Sequence, residues 1–143
     1  MNKAIADYLL ENKVATVCFT DENAKPYCIN CFYVYDEASD VLIFKSSFGT
    51  RHEIFAKPLN AVAGTILPNK LSMANIKGVQ FTGQIISESL AEGLKCNMIY
   101  SKAFPMSLLI PGYYWLVKLD FVKLTDNTLG FGNKTVWKRE PKP

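Results

Sequence analysis

The chain has 143 residues, 49% of them apolar and 20% charged, with a formal net charge of +3. That length predicts one domain over residues 1–143 with a core of its own. The mild charge, with Arg51 and Arg139 as the only arginines, argues against a nucleic-acid surface.

Asn2 to Glu11 is expected to be a helix, with Ile5, Tyr8 and Leu9 on one face. No apolar run in the chain is long enough to span a bilayer, and Asp7 and Glu11 interrupt any signal-peptide core. With four cysteines that suit a reducing compartment, the expected address is the cytoplasm, with no membrane partner. Val14 to Thr20, nearly all apolar, reads as a strand buried on both faces. A turn at Asp21 to Pro26 leads into a strand from Tyr27 to Tyr35, and a turn at Asp36 to Asp40 into a third at Val41 to Ser46. Thr50-x-x-Glu53 has the form of a capping box, so a helix is expected from Thr50 to Lys57, stopped by Pro58. Further strands are expected at Asn60 to Leu67 and Ile76 to Ser87, the latter bent at Gly78 and Gly83. A helix opens at Ser87 or Ser89 and ends near Ala103, with Leu90, Leu94 and Met98 as its apolar stripe. Tyr113 to Leu124 alternates, placing Trp115, Val117, Leu119 and Phe121 on one face. A glycine-rich turn over Asn127 to Gly132 precedes a short strand at Thr135 to Lys138, and the basic tail from Lys138 reads as a frayed end. Meandering strands with inserted helices predict a barrel, mainly β, instead of a βαβ sheet.

The run Lys45-Ser46-Ser47-Phe48-Gly49-Thr50-Arg51-His52-Glu53 carries the most chemistry. Hydroxyls and cations surround a glycine where a strand hands over to a capped helix, an arrangement suited to a phosphate. Arg51 either clamps that phosphate or pairs with Glu53 or Asp40. His52, the only histidine, is either an acid–base group or a structural side chain, and multi-histidine metal sites are excluded. Ser46 and Ser47 lack the Gly-x-Ser-x-Gly frame of a serine nucleophile. Asn30 and Gln80 are polar amides set among apolar strand neighbours, and each needs a partner, from a ligand or across the barrel. Cys28 and Cys31, three apart in a strand, point to opposite faces and read as structural. Trp115 and Trp137 read as core or interface residues more than as a stacking platform. Asp126-Asn127 is a turn or part of a site.

Several phrases resemble the FMN-binding split-barrel superfamily typified by pyridoxamine 5′-phosphate oxidase. They include Pro26-Tyr27, Phe32-Tyr33-Val34-Tyr35-Asp36, Phe44-Lys45-Ser46-Ser47, Thr50-Arg51-His52 and Asn60-Ala61-Val62-Ala63-Gly64-Thr65. Lys77-Gly78-Val79-Gln80-Phe81-Thr82-Gly83 and the segment from Lys123 to Gly132 are similar to the small bacterial YhbP-type subfamily. The resemblance implies a six-stranded antiparallel split β-barrel that forms a homodimer, with FMN in a groove between subunits. Carried over, Lys45, Ser46, Ser47, Thr50, Arg51 and His52 would surround the phosphate, and Asn30 and Gln80 would approach the ring. A related flavin, a deazaflavin or haem is the alternative cofactor. His52 stands where many members have lysine, and the extra cations that grip a pyridoxamine phosphate are missing, which argues against that particular oxidase activity. Two functions follow from the resemblance: a flavin-dependent oxidoreductase of a small molecule, or a non-catalytic module that holds a flavin or another anionic ligand.

Overall fold

The computed structural model describes residues 1–57, 60–86, 90–130 and 132–141, without the side chains of 90–92 and 129. The expected helix stop at Pro58, the helix start at Ser87 or Ser89, Phe131 of the glycine-rich turn and the last two residues of the tail lie outside the described residues. In chain order the elements are α1 (Lys3–Glu11), β1 (Val14–Thr20), β2 (Pro26–Asp36), β3 (Val41–Ser46), β4 (Ala61–Ile66), β5 (Lys77–Ile86), α2 (Leu90–Ala103), β6 (Tyr113–Asp126) and β7 (Lys134–Lys138). Short 3-10 turns occupy Arg51–Ile54, Pro105–Leu109 and Asn127–Leu129.

All strand pairings are antiparallel, and the sheet order is β3-β2-β1-β4-β5-β6-β7. A further pairing of β3 with β6 closes the first six strands into a barrel. β6 is long enough to serve two neighbours along one edge. Its residues Tyr113 to Lys118 pair with β3, and Phe121 to Thr125 pair with β7. The barrel is split at that fork, as the resemblance implied. Arg139 pins the chain there: its side chain donates to the Leu119 carbonyl at 2.7 Å and the Asp40 carbonyl at 3.1 Å. The tail is therefore docked at Arg139, not frayed.

α1 closes one end of the barrel. Asn2 caps it by accepting from the Ala4 amide at 2.9 Å. Its buried face, Ile5, Tyr8 and Leu9, joins the barrel core. The Tyr8 hydroxyl donates to the Ile66 carbonyl at 3.2 Å, and the Tyr33 hydroxyl donates to the Leu9 carbonyl at 2.9 Å. At the centre Phe44 and Trp115 stack with ring centroids 4.1 Å apart, and Phe19 packs on Trp115 at 5.5 Å. Gly64 leaves room for the Phe81 ring opposite it: a Cβ there would strike both Phe81 Cζ and the Thr16 carbonyl oxygen.

Four expectations change. β1 buries only Ala15, Val17 and Phe19, and its other face stays at the surface, because no helix among the described residues covers that side of the sheet. The capped helix reduces to the single 3-10 turn Arg51–Ile54. Thr50 makes no capping bond, and Glu53 accepts instead from the Gly49 amide at 2.8 Å. Phe121 leaves the face of Trp115, Val117 and Leu119. The register between β5 and β6 shifts at Thr82/Gly83, so Asp120 is extra and the inward set continues as Val122 and Leu124. On α2, Cys96 and Tyr100 are the buried contacts to β3 and β6, whereas Leu94 and Met98 are 63% and 73% exposed.

Candidate functional site

The uncovered face of β1 organises the surface. Thr16 stands opposite Asn30 on β2 and Thr65 on β4, Thr65 opposite Gln80 on β5, and Gln80 opposite Lys123 on β6. These residues form a polar row across five strands, and the Thr16 hydroxyl donates to Asn30 Oδ1 at 2.7 Å. The row above it runs Cys28, Cys18, Ala63, Thr82, Phe121. Three hollows lie along the outer face of β1. One of about 500 Å³ lies beside Thr20, Arg51 and Phe55. One of about 450 Å³ lies over Thr16, Cys18, Ala63 and Gln80. One of about 430 Å³ lies beside Val14, Thr16, Asn30 and Leu71. Six residue steps separate Val14 from Thr20, about 20 Å of strand. Asn30 and Gln80 thus both face this groove, and neither amide enters the core.

Arg51 stands at one end. Its guanidinium lies 4.8 Å from the Tyr27 ring centroid, and it has no carboxylate partner among the described residues. The two acids that could have taken it are used elsewhere: Glu53 accepts from the Gly49 amide, and Asp40 accepts from the Tyr35 hydroxyl at 2.6 Å. Lys57 and Asn60 share its hollow, as do Asp21 and Glu22. The Asp21 carboxylate is turned inward on its own loop, accepting from the Asn23 and Lys25 amides.

The other members of the Lys45–Glu53 run separate. Consecutive residues of a strand point to opposite faces, and Lys45 and Ser46 do so. Lys45 turns toward the 3-10 turn before β6, donating to the Ser107 carbonyl at 2.7 Å with its ammonium 5.3 Å from the Tyr114 ring. Ser46 turns inward, 8% exposed, where Trp115 Nε1 donates to its hydroxyl at 2.9 Å. His52 is 9% exposed; its Nε2 lies 2.6 Å from Ser46 Oγ and 3.3 Å from Thr50 Oγ1. Burial depresses the His52 pKa below its ordinary value, with Glu53 opposing weakly, so at neutral pH the imidazole is uncharged and adds no cation to the corner. Ser47 is exposed, and Thr50 donates to its carbonyl at 3.2 Å. A four-residue turn has no appreciable dipole, so the amide contribution expected at Thr50 drops out; Arg51 and Ser47 stay exposed, while the Thr50 hydroxyl is turned to the Ser47 carbonyl and His52. A planar guanidinium with no ion-pair partner among the described residues, in a hollow it shares with Lys57, is a donor that fits a phosphate.

Sequence reasoning missed Thr16, Thr65, Tyr27 and the opposition of Cys18 with Cys28. The hairpin held their signal. Folding the chain about Asn23 sets Thr16 against Asn30 and Cys18 against Cys28. Trp115 is core, as expected, and Asp126 caps the turn after β6 by accepting from the Thr128 amide at 3.0 Å while pairing with Lys77.

Over 136 residues the chain is 35% identical to the UPF0306 protein YhbP of Escherichia coli (strain SMS-3-5 / SECEC), covering 95% of this chain and 92% of that protein. No family model matches the chain. Among solved structures, a heme binding protein from Mycobacterium smegmatis superposes with a TM-score of 0.73 at 12% identity, over 96% of this chain and 58% of that one. The FAD binding protein from the same organism gives 0.70 at 11% identity, over 88% and 95%. A Clostridium acetobutylicum protein of the pyridoxinephosphate oxidase family, related to general stress protein 26, gives 0.64 at 14%, over 94% and 92%. At such identities these structures share the fold with this chain.

Proposed function

Since the chain belongs to the YhbP family, with the barrel of flavin- and heme-binding proteins, we propose that it binds FMN in the groove along β1 and serves as a flavin-dependent oxidoreductase of a small molecule. The observation that carries this reading is the row of three hollows along the outer face of β1, with exposed amides along it and, at one end, an arginine that has no carboxylate partner among the described residues. Its hollows lie in the size range of small-molecule sites. Arg51, Ser47 and Thr50 would hold the phosphate. Asn30 and Gln80 would offer hydrogen bonds to the polar edge of the ring, with Thr16 fixing the Asn30 amide by its 2.7 Å bond. FMN, when bound, supplies two-electron redox chemistry of its own. The protein then needs to orient, desolvate and bind charge, which suits groove walls without a histidine.

Two observations favour a flavin over haem. The only histidine is buried against Ser46, away from the groove walls, so it is not placed as an axial ligand there. Arg51, without a carboxylate partner among the described residues, sits at an end of the row of hollows, where a single phosphate tail would lie. The non-catalytic alternative uses the same groove and differs in outcome, not in geometry. Flavin titration with Arg51→Ala tests the site. A hydrogen bond to a charged group is worth about 1.5–3 kcal/mol, so FMN affinity should fall roughly tenfold to a hundredfold, read by quenching of flavin fluorescence. Unchanged affinity would reject the site. Bleaching of the bound flavin by a reduced nicotinamide separates the oxidoreductase from the binding module.

A further inference from the structure

Cys18 and Cys28 stand directly opposite one another on β1 and β2. Opposed residues in an antiparallel pair alternate between hydrogen-bonded and non-hydrogen-bonded positions. The Tyr33 amide donates to the Lys13 carbonyl, which makes that pair hydrogen-bonded. Counting in twos along the register, Cys18/Cys28 falls in the other class, where opposed Cα atoms lie about 4.5 Å apart. Pro26, which has no N–H to offer, falls in the same class opposite Thr20, as the alternation requires. A separation of that size lies within the Cα range that a disulfide spans. Both side chains belong to the outer face and line the middle hollow of the groove, Cys28 exposed and Cys18 half-buried. The remaining thiols do not compete. Cys31 belongs to the inward face of β2, against the core, and Cys96 is buried between α2 and the barrel.

We propose that Cys18 and Cys28 form a dithiol site that exchanges with a low-molecular-weight disulfide and closes as a cross-strand disulfide in the floor of the groove. Cys28, the more accessible, attacks first. It gives up its proton to solvent, its sulfur bonds to one sulfur of the small disulfide, and that S–S bond breaks, releasing one small thiolate that takes up a proton. Cys18 then loses its proton and attacks the Cys28 sulfur, and the second small thiol leaves by the same route. Two protein thiols lose two electrons, and one small disulfide becomes two thiols. The order of attack agrees with the thiol chemistry. The hydrogen bond to Cys28, and secondarily burial, raise the Cys18 pKa above the ordinary thiol value, which suits it to the second step. No flavin takes part in this chemistry; because both thiols line the hollow proposed for FMN, a flavin in place would slow the exchange without changing its products.

The test is incubation of the reduced protein with oxidised glutathione in mildly alkaline buffer, followed by intact-mass and non-reducing peptide analysis. The expected product is a chain lacking two hydrogens, with the Cys18 and Cys28 peptides joined and two glutathione molecules released per chain. Cys18→Ser should stop at a stable glutathione adduct on Cys28, and Cys28→Ser should react at least tenfold more slowly. A stable adduct on both cysteines, a bridge to Cys31, or no reaction would overturn the site. A second measurement needs no variant. Phenylarsine oxide, which bridges two neighbouring thiols, should protect Cys18 and Cys28 together from alkylation in the folded wild-type protein; protection of one or neither overturns the pairing.

Discussion

His52 occupies a position where sequence and structure suggest different jobs. In sequence it follows Arg51 in a run of anion-binding residue types; in space it closes a buried hydrogen-bonded triad with Ser46 and Trp115. Burial holds its folded pKa below its ordinary 6.5, and that has a consequence for stability. Below 6.5 the unfolded chain takes up a proton that the folded chain refuses until the pH falls further. In that window the unfolded state binds more protons, so stability rises with pH and is lost as pH falls from about 6.5 toward the folded value, by at most about 1.4 kcal/mol per pH unit for one proton. Because this is the only histidine, no other imidazole obscures the slope. Urea unfolding should give a lower midpoint at mildly acidic pH than at neutral pH. His52→Gln should flatten that dependence while lowering stability at neutral pH by about 1–3 kcal/mol, through the partners it leaves unpaired. A histidine free to titrate in the groove would give no such slope.

Among the elements, α1 and the β4–β5 pair offer separable tests of what holds the barrel. Asn2→Ala removes the cap on the Ala4 amide and should cost about 0.5–2 kcal/mol in denaturant unfolding. Gly64→Ala is the harsher change, since its Cβ meets the Phe81 ring on one side and main-chain oxygen on the other. The ring can shift and the carbonyl of Thr16 cannot, so a loss of about 1–3 kcal/mol or more is expected; a wild-type midpoint would mean that β1 and β4 spread easily. The same elements explain what could be read in advance. α1, β1, β3 and the hairpin turn stood out because caps, turn residues and apolar periods are local properties. The fate of Phe121 was hidden because a single extra residue, Asp120, flips every later side chain, and nothing in the alternation Tyr113 to Leu124 marks where the partner strand slips. Leu94 and Met98 misled for a related reason. Helical spacing groups them on one face, but only the docking of α2 through Cys96 and Tyr100 decides which face turns inward. The site was legible as a set of residue types and not as a place. Lys45 and Ser46 adjoin in sequence and diverge in space, whereas Thr16, Asn30 and Gln80 are distant in sequence and share one row.

At the scale of the whole molecule, the surface is what the chain leaves unfinished. Leu71 is 75% exposed and Met73 99% exposed, beside Leu67 and Ile76 on the loop that ends the groove. Phe32 and Val14, also exposed and directly opposed in the hairpin, extend the apolar surface along the same side of the sheet. Contiguous apolar area of this kind on a small protein marks a surface that meets another. A second copy is the occupant implied by the split-barrel resemblance, and it would supply the missing wall of a trough that one chain leaves open. Native mass spectrometry reports both parts of this prediction in one spectrum: a species at twice the 16.1 kDa chain mass, carrying flavin after reconstitution with FMN. Leu71→Asp combined with Met73→Asp should shift the population to single chains, because two carboxylates would have to be buried on association. If the groove is completed across the interface, FMN affinity should fall with the dimer in that variant although Arg51, Asn30 and Gln80 are untouched. Full flavin binding by an isolated chain would instead place the whole site on one barrel and leave the apolar loop to serve some other contact.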